Sequence, residues 1–577
     1  MPTPIKLYDS YQKKEIILDS NKTVVPNTLK MYSCGPTIYN YMHIGNLRAA
    51  WFPTSVRDVA KLAGWKVELV HNITDVGHLT GDNDGDADNG EDRVEKGAKR
   101  DGKTADEIIN FYLDDYNKQC QSINIYLPCK ELDFDGQPRA SEYVKEQMIL
   151  AGDLLQQNKA YLLDDGIYFD SQFNDDLFKM SQATNSQALK AILEIQAKRN
   201  HGNNSQFTGR EIFNTTKNPN DFALWKFVSV DSLQKWRFKE VLESDQILGI
   251  NSWVSKQSNI ETAEKVLTNW GCPGWHSECV AMICQILGKG YHGRDLNFYP
   301  HKNETVIDLH TGGIEHMELH HKNEIIQSEA FGFQLATYWS HWQHVLVNGK
   351  KMSKSLGNSY LVVGKYENTG FYSLEHPPIE VQEKFKVERF DLLAYRLMLM
   401  EHHYTQQLDF TWNKLMQSQT RLFNIRKLGA RILSFHNYQG IQKTEESQKN
   451  INEQKEILTK TLANNLDFPT FLSDYTAFLE TIINKITKEQ ILVEQDLEIL
   501  NLFDRELLKL KIFENPSQEA VGLAIARQNA KADKNWLEAD SIRQQISQLG
   551  YQVDDYPWGY GLWLNSTLPK NSIQETL

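Results

Sequence analysis

Residues 29–33 read LKMYS, residues 34–46 read CGPTIYNYMHIGN, residues 44–62 read IGNLRAAWFPTSVRDVAKL and residues 66–70 read KVELV. The first and last of these are strand candidates. Between them the apolar residues from Ile44 to Leu62 recur with a 3.6-residue period that stops before Gly64, which predicts a helix. Strand, helix, strand at this spacing is a βαβ unit, and such units build parallel sheets that hold ligands at the carboxyl ends of their strands. The turn-rich Cys34-Gly35-Pro36 directly after the first strand is therefore the first suspected site.

Outward from that unit, 577 residues suffice for roughly three or four domains. A 40% hydrophobic content excludes a disordered or collagen-like chain. Against 62 Lys and Arg stand 75 Asp and Glu, a net charge of −13, which argues against a uniformly basic nucleic-acid coat and leaves room for local basic patches. Six cysteines are too few for a disulfide framework and point to reduced thiols or metal ligation. The N-terminal MPTPIKLYDSYQKKEIILDS has no apolar signal-peptide core, and no run approaches the roughly 20 apolar residues that span a bilayer. A soluble, cytoplasmic protein with no membrane partner is expected.

Further along, 224–270 lacks clear periodicity and reads as an insertion, and 274–287 returns to a helix with an abrupt glycine start. Residues 344–347 followed by Asn348-Gly349 read as a strand entering a tight turn. Beyond Pro377-Pro378 long helices dominate, with Leu415, Leu422, Ile425, Leu428 and Ile432 on one face and Phe471, Tyr475, Phe478, Ile482 and Ile486 on another. The polar stretch 440–456 reads as a solvated connection.

Two motifs suggest phosphate chemistry. His43-Ile44-Gly45-Asn46 opens the first helix, whose N-terminus offers backbone N–H groups and partial positive charge, while Gly45 lets a nucleotide approach the backbone. Lys351-Met-Ser-Lys354-Ser355 supplies two cations on a short loop, suited to clamping a polyphosphate as charge moves to the leaving group. The pair resembles the two signatures of class I aminoacyl-tRNA synthetases, enzymes that activate an amino acid with ATP.

A third constellation is chemically distinct. His320 and Glu324 are four apart, so on a helix both project from one face and can share an ion, and Cys34 and Cys279 add two thiolates. Two thiolates, an imidazole and a carboxylate suit Zn²⁺. No CxxC knuckle gathers them locally, and His316 stands four residues before His320 as a competing donor. Spacing alone leaves a core or surface role open for all of them.

In order along the chain, CGPTIYNYMHIGN (34–46), NITD (72–75), PRA (138–140), NPNDFALWK (218–226), GWHSEC (274–279), HHKNEIIQSEA (320–330), KMSKSLGN (351–358) and HYTQQLDFTW (403–412) resemble the cysteinyl-tRNA synthetase family. The resemblance implies an α/β fold: a Rossmann-like parallel-sheet catalytic domain with insertions over 1–357 (a connective region near 115–215 and an extra insertion near 227–270), a junction over 358–415, an anticodon-side helical bundle over 416–515 that binds tRNA, and a helical hairpin with a small tail over 516–577. It implies one Zn²⁺ held by Cys34, Cys279, His320 and Glu324, ATP with Mg²⁺ at His43, Gly45, Asn46, Lys351 and Lys354, and cysteine contacts from Thr74 and Trp275. The implied activity is a cysteine–tRNA ligase acting on L-cysteine, ATP and tRNA-Cys, and a monomer is expected. Zinc gives such a family its reason to reject serine: a thiol deprotonates and binds a soft site strongly, whereas an alcohol does not.

Some residues depart from the family's pattern. HIGN replaces HIGH, and Glu315 in HTGGIEHMELHH (310–321) stands where an Asp is usual near the substrate amino group. The acidic run 81–95 places Asp84, Asp86, Asp88, Asp92 and Glu95 at calcium-loop spacing, with Asn89 where glycine is demanded; lacking a flanking apolar helix pair, it reads as a solvated loop. In the tail, Arg527, Lys531 and Arg543 are candidate phosphate contacts and Trp558 and Trp563 candidate base-stacking residues. Two rival readings are weaker. A ligase passing cysteine to a small amine matches only the catalytic half, against the helical region from about Phe385, and a non-enzymatic RNA-binding descendant has no chemical reason to keep His43, Lys351, Lys354 and all four donors.

Overall fold

A computed structural model of the chain describes residues 2–77, 93–128, 135–171, 187–189, 216–218, 220–242, 253–256, 260–288, 300, 302–352, 357–364, 371–439, 447–489 and 491–565. They fall into two compact units, one built from Met1–Tyr41, Trp65–Asn117 and Leu127–Trp342, the other from Met42–Gly64, Lys118–Tyr126 and Gln343–Leu577. The elements that carry candidate residues are, in chain order, β1 (Thr28–Ser33), α1 (Ile44–Leu62), β2 (Lys66–His71), α2 (Ala105–Ser122), α3 (Trp275–Leu287), β3 (Thr305–Gly313), α4 (His320–Phe331) and β4 (Gln334–Trp342).

The first unit is built on a four-stranded sheet in the order β4-β3-β1-β2, with every pairing parallel. Its two central strands, β1 and β3, carry near-continuous buried runs, as expected of strands covered on both faces. Ser33 pairs with Thr311 and His341 with Gly312, so Cys34, the end of β3 and the end of β4 share the carboxyl edge. The predicted βαβ order of β1, α1 and β2 is present, and α1 stops where Gly64 takes a φ of 91°.

A second, antiparallel sheet runs Ala160–Leu163, Gly166–Phe169, Phe222–Phe227, Gly271–Pro273. This corrects the irregular reading of 224–270. Its first residues complete the Phe222–Phe227 strand, and helices Phe238–Leu242 and Ile260–Thr268 lie within it. Phe222 to Trp225 are all buried, and a strand covered on both faces has no alternation for a sequence to display.

The second unit is mainly helical. Leu415, Leu422, Ile425 and Ile432 are buried along Trp412–Gln439, and Phe471, Tyr475, Ile482 and Ile486 along Phe468–Glu489, on the faces the periodicity predicts, whereas Leu428 and Phe478 of those faces are only half-buried. The solvated connection over 440–456 is corrected in part: 447–456 belongs to the helix Ser447–Ala463, whose Glu453, Lys455 and Glu456 are exposed. Polarity there reports a wet helix face rather than a loop. The Asn348-Gly349 turn is a hairpin, with Val347 opposite Lys350 and φ of 50° and 72° at its two central residues, the backbone that Asn-Gly favours. Toward the C-terminus, helices Gln518–Ala532 and Trp536–Gln548 share a small core with the ribbon Tyr551–Tyr556/Gly559–Leu564. Among the described residues no helix is long and apolar enough to cross a membrane.

Candidate metal centre and phosphate loop

Three segments converge at the carboxyl edge of the parallel sheet. Cys34 leaves β1 with its N–H bonded to the Thr311 carbonyl at 3.0 Å. Cys279 sits in the second turn of α3, a helix that can begin there because Gly274 packs against Ala223, whose carbonyl oxygen lies 2.0 Å from where a Cβ would be. His320 is the first residue of α4 and Glu324 lies one turn on; α4 ends at Gly332, whose φ of 90° closes the helix.

The ligating atoms of Cys34, Cys279, His320 and Glu324 all lie within 4.8 Å of one another, and all four residues are buried. The two sulfurs are 4.0 Å apart, and His320 Nε2 is 3.0 Å from Glu324 Oε1. Although that close, His320 Nε2 and both Glu324 oxygens lack hydrogen-bond geometry. Buried polar atoms normally find hydrogen bonds, so a set that converges on a common point instead fits a shared cation. Burial pushes the Cys34 thiol up to about 11 and Cys279 well above the ordinary thiol range. Burial opposes charge on His320 as well, yet Glu324 and Cys279 carry it up to about 10, while His320 and His310 overcome burial to hold Glu324 below the usual carboxylate range. A divalent cation would reverse the cost of ionising the thiols. Two sulfurs, one imidazole and one carboxylate fit zinc.

An array of histidines that the sequence reading did not single out surrounds the four. His321 Nε2 lies 3.2 Å from Cys34 Sγ and its Nδ1 2.8 Å from His341 Nε2. His310 Nε2 lies 3.0 Å from Glu324 Oε2, and His276 Nδ1 lies 3.3 Å from His320 Nδ1. Cys34, His310 and His321 also bring their donor atoms within 4.8 Å of one another. Burial holds His321 and His341 well below the usual imidazole range, so they act as neutral rings that orient the ligands. The adjacent His320-His321 pair was the available signal. His316, the competing donor, lies on a separate short helix, Ile314–Glu318, because the chain breaks at Leu319. Glu315 is exposed on that same helix.

Trp275 stacks on His320 with ring centroids 4.2 Å apart, forming a wall of the cluster. Thr74 is buried, its N–H donating to the Pro36 carbonyl at 3.1 Å and its carbonyl accepting from the Ile38 N–H at 3.0 Å. Its Oγ1 accepts from Asn72 Nδ2 at 3.3 Å, and Asn72 Oδ1 accepts from the Gly35 N–H at 2.8 Å. Gly35 is required there, since a Cβ would fall 1.6 Å from the Asn72 carbonyl oxygen.

In the second unit, His43 is the N-cap of α1, and Asn46 Oδ1 accepts from the His43 N–H at 3.1 Å. The asparagine that replaces histidine in the HIGH motif therefore caps its own helix. The ideal Cβ position on Gly45 lies 2.6 Å from Met352 Cε, so the HIGN turn and the KMSKS segment touch. Lys351 is exposed on the hairpin strand opposite Leu346. Lys354 and the acidic residues Asp84, Asp86, Asp88 and Asp92 lie outside the described residues. In the tail, Arg527 and Lys531 both pair with Asp555, at 2.8 Å each, so these two cations hold the C-terminal ribbon.

The sequence model of the tRNA synthetases class I (C) catalytic domain matches residues 20–238 and 252–376, more than half of the chain. Among relatives, the chain is 29% identical over 574 residues to the Cysteine–tRNA ligase 1 of Burkholderia lata, covering 97% of each. It is 27% identical over 565 residues to the Cysteine–tRNA ligase of Thermus thermophilus, covering 95% of this chain and 97% of that one. To that of Bacteroides fragilis it is 28% identical over 552 residues, covering 93% and 94%. A parallel sheet with a thiol-rich donor set at its carboxyl edge, followed by a helical unit, thus comes together with a catalytic-domain match across both signature motifs, and the chain belongs to the class I (C) tRNA synthetases.

Proposed function

We propose that the protein is a cysteine–tRNA ligase: it activates L-cysteine with ATP and transfers it to the terminal adenosine of tRNA-Cys. The observation that carries the reading is the buried Cys34, Cys279, His320 and Glu324 cluster in a class I synthetase. These four residues would hold one zinc ion, which when bound supplies a Lewis-acid position that prefers a thiolate to an alcohol. His310, His321 and His276 keep the ligands oriented, Trp275 walls the cluster, and Thr74 contacts the amino acid.

In the first step the cysteine carboxylate attacks the α-phosphorus of ATP and pyrophosphate leaves. His43, Gly45 and Asn46 receive the nucleotide at the start of α1, and Lys351 and Lys354, with Mg²⁺, offset charge on the phosphates. In the second step a hydroxyl of the terminal adenosine attacks the activated carbonyl and AMP leaves. Positioning and electrostatics supply the acceleration, and no side chain is required as general base. Residues 1–357 serve as the catalytic part and the helical residues beyond about 416 as the tRNA-binding part of a cytoplasmic monomer.

ATP–pyrophosphate exchange with cysteine and with serine, before and after chelation, tests the reading. Exchange with cysteine alone, lost on chelation and restored by zinc, is expected. Equal exchange with serine would sink the selectivity assignment, and exchange without charging of tRNA-Cys would favour a small-amine acceptor.

A further inference from the structure

The phosphate loop needs a fixed base if its lysines are to meet a polyphosphate, and the structure shows where that base is held. On the leading side, the hairpin turn at Asn348-Gly349 is tied by the Gly349 N–H donating to Asp409 Oδ1 at 2.7 Å. Asn358 Nδ2 donates to the Lys351 carbonyl at 3.2 Å, tying the two flanking segments to each other. On the trailing side, Tyr360–Leu361 pairs with Tyr372–Ser373, and the Glu375 N–H donates to the Val362 carbonyl at 3.1 Å.

The other edge of that trailing segment is bonded by a side chain from far away in sequence. Gln119, in the last turns of α2, is fully buried; its Oε1 accepts from the Val362 N–H at 2.8 Å and from the Val363 N–H at 3.1 Å, while its Nε2 donates to the Val363 carbonyl at 3.1 Å. A carboxamide carries an acceptor and a donor on one plane and so stands in for a peptide group of a missing neighbouring strand. We propose that Gln119 is a positioning residue for adenylate formation, clamping the segment that trails KMSKS so that Lys351, tied to that segment through Asn358, is presented from a fixed base.

The proposal rests on the ligase reading, and its test separates the two. Wild-type protein is first assayed for cysteine-dependent ATP–pyrophosphate exchange; absence of exchange defeats the ligase reading whatever Gln119 does. Gln119→Met then removes both hydrogen-bonding atoms at similar volume. It is expected to lower the exchange kcat about tenfold, with KM for cysteine and the rate of transfer from isolated cysteinyl-adenylate to tRNA each within about twofold of wild type. Gln119→Glu keeps the acceptor but turns a second oxygen toward the Val363 carbonyl, so it is expected to recover the rate only at pH values where its carboxyl is protonated and can donate. A folded Gln119→Met protein with wild-type kcat, or parallel losses in exchange and transfer, would overturn the assignment. Should Gln119→Met not fold, amide hydrogen exchange on the wild-type chain decides: protected Val362 and Val363 amides support the clamp, and amides exchanging as fast as an open loop refute it.

Discussion

Buried charge is handled in opposite ways in the two units. In the helical unit, Arg396 donates to the carbonyls of Leu508, Ile123, Asn124 and Leu507 at 2.6–3.1 Å, and Arg48 donates to those of His344, His403, Tyr404 and Gln406. Those guanidiniums tie helix ends and turns together with protein atoms alone. At the carboxyl edge of the parallel sheet, two thiols, an imidazole and a carboxylate face one another, with His320 Nε2 and the Glu324 oxygens outside any hydrogen bond. Burial lowers Arg48 and Arg396 to about 10, still charged at neutral pH, whereas it drives both thiols toward their neutral form. The difference teaches how to tell two kinds of buried polar cluster apart: one is completed by backbone carbonyls, while the other, among the described residues, turns donor atoms toward a common point without hydrogen bonds, as a cation site requires.

Substitutions on either side should therefore separate activity from stability. Cys279→Ala is expected to lower cysteine-dependent exchange by at least about 100-fold and to abolish stoichiometric zinc in metal analysis, with an unchanged far-ultraviolet dichroism spectrum. Arg396→Met, which strands buried carbonyls, should instead cost about 3–5 kcal/mol in urea unfolding and leave the zinc content of the folded fraction at wild-type level. The comparison fails if the arginine variant loses metal first.

His71 offers a pH test within the sheet unit. Burial lowers it from 6.5 to about 4, with Tyr116 Oη 2.9 Å from its Nε2. Because the folded pKa lies below the unfolded one, its contribution is complete above pH 6.5 and is lost as pH falls toward 4, about 3 kcal/mol in all. His71→Phe should flatten that part of the stability profile. His321→Asn, removing the ring beside Cys34, should weaken zinc about 10–100-fold in a chelator competition without unfolding the chain. The smallest effect is expected from Asn46→Ala, about 1 kcal/mol of helix-cap stability read by thermal melting.

The sequence was legible wherever local signals agreed: α1 runs Ile44–Leu62 as its periodicity predicts, and the Asn348-Gly349 turn needed only its two residues. The donor set was legible through the i, i+4 spacing of His320 and Glu324 and through family resemblance, since nothing local ties Cys34 to Cys279. The histidine array and the Gln119 clamp were not legible. Their partners lie tens to hundreds of residues apart, and a buried histidine or glutamine has no periodic signature. Helix 447–463 was missed for the opposite reason, because an exposed amphipathic face imitates a linker.

The parallel pairing of β1 with β3 also sets a timetable. Cys34 and Glu324 are separated by 290 residues, and during synthesis at ~5–20 residues per second the first sulfur waits on the order of 15–60 s for its last companion to be made. The nascent chain must therefore hold Cys34 apart from its companions through about half of its translation. Until then the thiol lacks the burial that the finished cluster gives it, so oxidants reach it more readily on the ribosome than in the folded protein.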